Sequence, residues 1–321
     1  MSQTRSPQPD AHGIGSTSTE TRGAAISAQP PQPDPLAAGL PAVEAPIGYI
    51  DSGLERAEVR VYPPDSGLEI VCPTPADRAM AILDARPAAD RLSLDEHGFE
   101  LHTHGSAFDD FYNEAEVRAH YYPEVEAAVR DFTGAAAVVV FDHNVRSAVR
   151  AARGEPGVRE PVNQAHNDYT EQSGPERQHA VLEAAQRTGL ADRHFAFVNL
   201  WRPIVGPIVD TPLAVCDARG VSRADLVPTE IHHFGEDDLE TPRHTGHIYS
   251  LRHNAGHRWF YASEMQPDEV LLLKCYDSRS DGRARFLPHT GFRNPACPRE
   301  FVPRESIEAR TLVVFDARRR S

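Results

Sequence analysis

A mainly β fold with flanking helices (α+β) is what this 321-residue sequence predicts. Three observations carry that expectation. Short apolar runs separated by turn clusters recur through the C-terminal half, as in a barrel or sandwich. Residues 135–141 form a continuous apolar run, typical of a strand covered on both faces. Helical spacing is concentrated toward the N-terminal half, where helices could buttress one sheet.

In chain order, residues 1–44 are rich in Pro, Gly, Ser, Thr, Gln and Ala without apolar periodicity. They read as a disordered tail ahead of a single domain over 45–321. Glu58 to Tyr62 alternates polar and apolar residues, a half-buried strand. Residues 75–83 read as a short helix with Pro75 near its first turn, and a strand begins at Phe99. Residues 109–131 carry apolar positions at helical spacing and stop at Gly134. A polar loop covers 150–160, and a second helix covers 175–187. Strands are expected at 194–200, 212–216, 245–250, 257–261, 269–276 and 306–315, divided by turn clusters such as Gly235-Glu236-Asp237-Asp238 and Gln266-Pro267-Asp268.

Composition narrows the function. A hydrophobic fraction of 40% with 25% charged residues supplies material for a core. The formal net charge of −14, with no Lys/Arg stripe, argues against nucleic acid as a partner. No run of about 18 apolar residues is present, so no membrane-spanning helix is expected. The N-terminus lacks a basic-then-apolar signal pattern, which makes the cytoplasm the expected location. Cys72, Cys216, Cys275 and Cys297 are scattered without a Cys-x-x-Cys, against a zinc ribbon or a disulfide scaffold.

The chemistry centres on Gln164-Ala165-His166-Asn167-Asp168-Tyr169. A His and an Asp two residues apart at a strand edge can turn toward one metal, and a distant His would complete a two-His-one-carboxylate face. Among 16 His and 47 acids, chance supplies about two such pairs. The rest of the chain must therefore decide. His289, in Phe286-Leu287-Pro288-His289-Thr290, is the leading third ligand. His247, His253 and His257 are rivals, and His232-His233 reads as a surface pair. Downstream, Arg304, Ser306 and Arg310 share one face of a strand. Arg310 is the first choice for holding a carboxylate bidentately, with Arg304 next. Lys274, inside an apolar strand, needs an anion or a salt bridge. Asn163 and Tyr169 could bond to the ligands.

Further stretches resemble one family: Phe197-Val198-Asn199-Leu200-Trp201-Arg202-Pro203-Ile204, Trp259-Phe260-Tyr261, Pro267 through Ser278, Pro288-His289-Thr290-Gly291-Phe292 and Arg304 through Arg310. The sequence is similar, over roughly residues 45–316, to the CmcJ/AsaB-like hydroxylases and desaturases. That group includes the cephalosporin 7α-hydroxylase component and aspergillic-acid hydroxylase. The resemblance implies a double-stranded β-helix (jelly-roll) core, Fe(II) held by His166, Asp168 and His289, and 2-oxoglutarate as co-substrate with O2. It implies hydroxylation or desaturation of a small molecule of specialised metabolism through a ferryl. Halogenases of this type lack the carboxylate that Asp168 provides. Arg310, Arg304, Ser306 and Lys274 become co-substrate candidates, and Trp201, Arg202 and Tyr276 substrate candidates. Other readings are a hydrolase or isomerase on the same three ligands, or a non-catalytic partner of a biosynthetic enzyme.

Overall fold

A computed structural model describes residues 35–63 and 66–316. Among them fifteen strands form two sheets. They are β1 (Ala42–Tyr49), β2 (Ala57–Val61), β3 (Ala76–Asp84), β4 (Phe99–Thr103), β5 (Ala137–Ser147), β6 (Val158–Arg159), β7 (His166–Asn167), β8 (Phe195–Pro203), β9 (Leu213–Cys216), β10 (Leu226–His233), β11 (His244–Leu251), β12 (Trp259–Tyr261), β13 (Glu269–Asp277), β14 (His289–Gly291) and β15 (Glu305–Val314). The larger sheet runs β1-β3-β12-β9-β14-β7-β11-β10-β2, and the smaller runs β4-β13-β8-β15-β5-β6. The expected mainly β, jelly-roll class holds.

The smaller sheet is covered on both faces, which is why residues 137–141 of β5, 195–198 of β8, 270–273 of β13 and 312–314 of β15 are continuously apolar. In β8 every residue is buried. Phe195, Phe197 and Trp201 face the larger sheet, meeting Leu213, Val215 and Phe260. The alternate residues Ala196, Val198 and Leu200 face a helical layer carrying Tyr121, Val125 and Val129. That layer includes the helix Tyr122–Thr133, which ends on Gly134 at φ 63°, a left-handed cap that glycine adopts without steric cost. A second helix, Ser173–Ala184, joins the core between the sheets through Val181 and Leu182.

Three expectations change. Residues 75–83 are not a helix: β3 pairs along its whole length with β1, and its C-terminal end with β12. Ala, Met and Leu favour helix locally, but strand pairing on two sides outweighs a preference of a few tenths of a kcal/mol per residue. Order begins before residue 45, since Leu36 is buried and Ala42 and Val43 pair with Leu83 and Ile82. The rest of the expected tail, residues 1–34, lies outside the described residues. Finally, the polar loop at 150–160 contains β6, which pairs in parallel with β5.

Candidate metal centre

β7 is two residues long, yet it is paired on both sides. His166 lies opposite Ser250 of β11 and opposite His289 of β14. Directly opposed residues of an antiparallel pair project to one face, so the two imidazoles emerge together. Their ring centroids are 4.7 Å apart. Asp168, two residues beyond His166, returns to the same face. The ligand atoms of His166, Asp168 and His289 all lie within 4.8 Å of one another.

Each imidazole is oriented by its own backbone. Nδ1 of His166 donates to the Gln164 carbonyl at 2.9 Å, and Nδ1 of His289 donates to the Leu287 carbonyl at 3.0 Å. A carbonyl only accepts, so Nδ1 carries the hydrogen and each Nε2 is left as a lone-pair donor. Burial, helped by the neighbouring His289, pushes His166 down to about 4 against the pull of Asp168, which keeps the ring neutral. For Asp168 burial is the largest single influence and works against ionisation. The Arg310 guanidinium, both imidazoles and the Asn199 hydrogen bond together outweigh it and hold the carboxyl well below its usual range. Two imidazoles whose Nδ1 atoms are committed to backbone carbonyls and one ionised carboxylate, converging on one space, fit the chemistry of a divalent iron face.

Asn167 points the other way and fastens the ligand-bearing segments. Its buried amide donates to the carbonyls of Tyr169 (2.8 Å) and Cys275 (2.9 Å) and accepts from Leu287 N (2.8 Å). One side chain thus ties the Asp168 segment to the turn that presents His289.

Behind Asp168 lies a network that the sequence reading missed. Asn199 Nδ2 donates to Asp168 Oδ2 at 2.8 Å and to Glu308 Oε1 at 3.1 Å. Arg310 Nε stands 3.5 Å from both Asp168 Oδ2 and Glu308 Oε1, and an Arg310 Nη1 bonds to Asp142 at 3.2 Å. A polar Asn inside the apolar run of β8 was the available signal, as was the even-numbered position of Glu308 between Arg304 and Arg310.

Arg310, the first-choice carboxylate anchor, is therefore already matched by acids of the chain. Arg304 is not. It is buried, its Nε donates to Ser306 Oγ at 3.1 Å and an Nη1 to the Thr211 carbonyl at 2.8 Å. Among the described residues no carboxylate pairs with its guanidinium. Burial and the nearby Arg146 pull it down to about 9, with Asp210 and Glu308 opposing. Trp201 lies under it, 5.0 Å from ring centroid to guanidinium carbon. A Cβ on Gly291, which shares the His289 face of β14, would come within 3.5 Å of Arg304 Nη1. The guanidinium accordingly sits beside the metal face.

Other named residues fall elsewhere. Lys274 is paired with Asp95 and, at 3.1 Å, with Asp277, away from the three ligands. Arg202 faces the helical layer, bonding Tyr121 Oη (3.0 Å) and the carbonyls of His104 and Pro267. Alternation along β8 sends Arg202 outward while Trp201 points in. Tyr276 stacks on Phe195 and lies under the start of the helix Ser173–Ala184, where a Cβ on Gly174 would come within 2.6 Å of its ring. It is a core residue. Of the rival ligands, His257 stacks on Tyr49 and stands 3.4 Å from Asp225, and His253 meets Tyr49 edge-on. His247, on β11, opposes Glu230 of β10. His232 and His233 are half-buried on β10. Tyr169 stacks on Phe197 at 4.2 Å, and Asn163 Oδ1 lies near Gly291.

Known proteins resemble this chain over most of its length. Residues 55–314 match the family described as "Oxidoreductase/YMDC permease-like domain". Among the described residues, no helix is long and apolar enough to cross a membrane. The hydroxylase/desaturase efuI of Hormonema carpetanum is 33% identical over 75% of this chain and 85% of its own. The Fe(II)/2-oxoglutarate-dependent dioxygenase nvfI of Aspergillus novofumigatus is 33% identical over 72% of this chain and 81% of its own. The solved structure of the iron and alpha-ketoglutarate-dependent endoperoxidase NvfI superposes with a TM-score of 0.72 and 27% identity, covering 86% of this chain and 99% of that one.

Proposed function

Since this chain belongs to that oxidoreductase family and to the hydroxylase/desaturase group of its relatives, we propose that it is an Fe(II)/2-oxoglutarate-dependent oxygenase that hydroxylates or desaturates a small molecule, with O2 as oxidant. The observation that carries the reading is the convergence of His166, Asp168 and His289 within 4.8 Å, beside a buried guanidinium that lacks an acid. His166 and His289 hold the metal through Nε2 and Asp168 through its carboxylate. Asn199 and Arg310 engage Asp168 Oδ2, which leaves Oδ1 directed toward His166 Nε2, 3.7 Å away. Arg304, steadied by Ser306 and Thr211, holds the distal carboxylate of 2-oxoglutarate, a role that burial strengthens because few waters compete. The chemistry supplied there by Fe(II) and 2-oxoglutarate, when bound, is oxidative decarboxylation coupled to oxidation of a substrate C–H bond. The protein's own task is to hold that C–H bond in place.

Titrating the Fe(II)-loaded protein with 2-oxoglutarate without O2 is expected to raise a weak visible charge-transfer band. Admitting O2 is then expected to give succinate that depends on both additions. No band and no succinate would sink the reading in favour of a hydrolase or isomerase on the same ligands, or of a non-catalytic partner of a biosynthetic enzyme.

A further inference from the structure

The strand β5 carries more polar recognition capacity than the metal and one co-substrate use. In register, Asp142, Asn144 and Arg146 lie opposite Arg310, Glu308 and Ser306 of β15. Val145, between them, packs into the helical layer. Asn144 and Arg146 therefore project with Ser306, Glu308 and Arg310 toward the metal face. Asn144 is 5% exposed, and its amide nitrogen has no hydrogen-bond partner among the described residues. Buried amides are almost always satisfied, so an unsatisfied one marks a place where something else belongs.

Arg146 repeats the pattern. Among the described residues its guanidinium makes one hydrogen bond, from Nη1 to the Glu160 carbonyl at 2.7 Å, and meets no carboxylate within ion-pair distance. Its register partner on β6 is another arginine, the exposed Arg159, likewise without an acid. Two guanidinium groups at paired positions of neighbouring strands repel one another, a repulsion that an anion between them relieves. Arg146 is half-buried and Arg159 exposed, so the pair leads from solvent toward the metal face.

We propose that Asn144 and Arg146, with Arg159 at the rim, recognise a carboxylate on the organic substrate, on the strand beside the co-substrate anchor Arg304. The inference rests on the oxygenase reading for what the position serves. A guanidinium beside an amide N–H donor matches the two oxygens of a carboxylate and discriminates against a neutral amide or ester. Arg159 contributes long-range attraction that salt screens.

The test uses the full chain loaded with Mn(II) and saturated with 2-oxoglutarate. Phenylacetate, 4-phenylbutyrate and abietate are each compared with the matching primary amide, following paramagnetic relaxation of the probe protons. At least one acid is expected to bind tenfold or more tightly than its amide. Arg146→Gln is expected to abolish that preference and Asn144→Ala to reduce it several-fold. Arg146→Lys is expected to restore part of it, and Arg159→Gln to cost about two- to threefold, with the effect vanishing in high salt. Affinity for 2-oxoglutarate, measured by calorimetry, is expected to stay within twofold throughout. Equal binding of every acid and its amide, or an acid preference unchanged in Arg146→Gln, would overturn the proposal. So would a large loss of 2-oxoglutarate affinity in Arg146→Gln, which would assign the position to the co-substrate. Saturation-transfer measurements on metal-free protein repeat the acid–amide comparison. An acid preference there, in a protein that binds no 2-oxoglutarate even when loaded with Mn(II), would defeat the oxygenase reading and leave the carboxylate position standing.

Discussion

Arg304 and Arg310 sit at two places on one face of one stretch of chain, and their surroundings could hardly differ more. Around Arg310 the chain supplies three carboxylates, Asp142, Asp168 and Glu308, which hold its guanidinium far above its ordinary value although burial, the largest influence, opposes them. Around Arg304 it supplies a hydroxyl, a backbone carbonyl and an indole ring. The first cation is matched by acids, one of them the proposed metal ligand Asp168. The second is buried without a carboxylate on its guanidinium among the described residues, as the proposed co-substrate anchor requires. Residue type and strand face were the same in both cases, so the difference in role comes entirely from what the neighbouring strands place opposite.

The comparison can be broken most decisively at the metal. His166→Ala and His289→Ala should each reduce bound Fe(II) from about one per chain to near zero, measured by metal analysis after desalting. Retention near one in both would remove the reason for Arg310 to face Asp168. Arg310→Gln leaves three acids crowded around the site. It should weaken metal affinity by roughly 10–100-fold and cost about 3 kcal/mol of stability, read by metal titration and denaturant unfolding. Arg304→Gln should leave metal content unchanged and raise the dissociation constant for 2-oxoglutarate roughly 30-fold or more, since truncating one partner of a buried charge pair costs about 2 kcal/mol or more. Equal effects of the two arginine variants on both measurements would erase the distinction drawn between them.

Lys274 provides the control, being a buried cation satisfied away from the ligands. Lys274→Gln should leave 2-oxoglutarate affinity within twofold while lowering the unfolding midpoint. The pH dependence of that loss has a definite sign. Burial raises Asp277, but the His194 hydrogen bond and Lys274 outweigh it and hold the carboxyl below its ordinary value. A depressed folded value contributes stability that is present above the unfolded carboxylate value of about 3.9 and disappears as pH falls through the folded one. The gap in midpoint between wild type and Lys274→Gln should therefore be widest near neutrality and shrink below about pH 4. A gap independent of pH would show that the lysine acts by packing alone.

Much of the architecture was legible because burial leaves a period in the chain. The all-apolar stretches of β5, β8, β13 and β15 announced a sheet covered on both faces. Gly134 announced the end of a helix, and the His-x-Asp pair announced a candidate ligand set. What failed to show was decided at a distance. Residues 75–83 have helical composition and became a strand because β1 and β12 flank them. Arg202 and Trp201 are adjacent in sequence and ended on opposite faces. Asn199, Glu308, Asn144 and Arg146 look unremarkable one at a time, and their significance appears only when β5, β8 and β15 lie side by side.

By itself, then, the sequence determined the class of fold, and it singled out three candidate metal ligands and two arginines, Arg304 and Arg310, as candidates for holding a carboxylate. Side-chain chemistry and strand period are local properties, carried by the residues wherever they fold. Only the tertiary structure decided which arginine lacks an acid on its guanidinium among the described residues, because compensation of charge depends on distances between strands remote in sequence. The pairing of His289 with His166 and of Asp142 with Arg310 sets those distances.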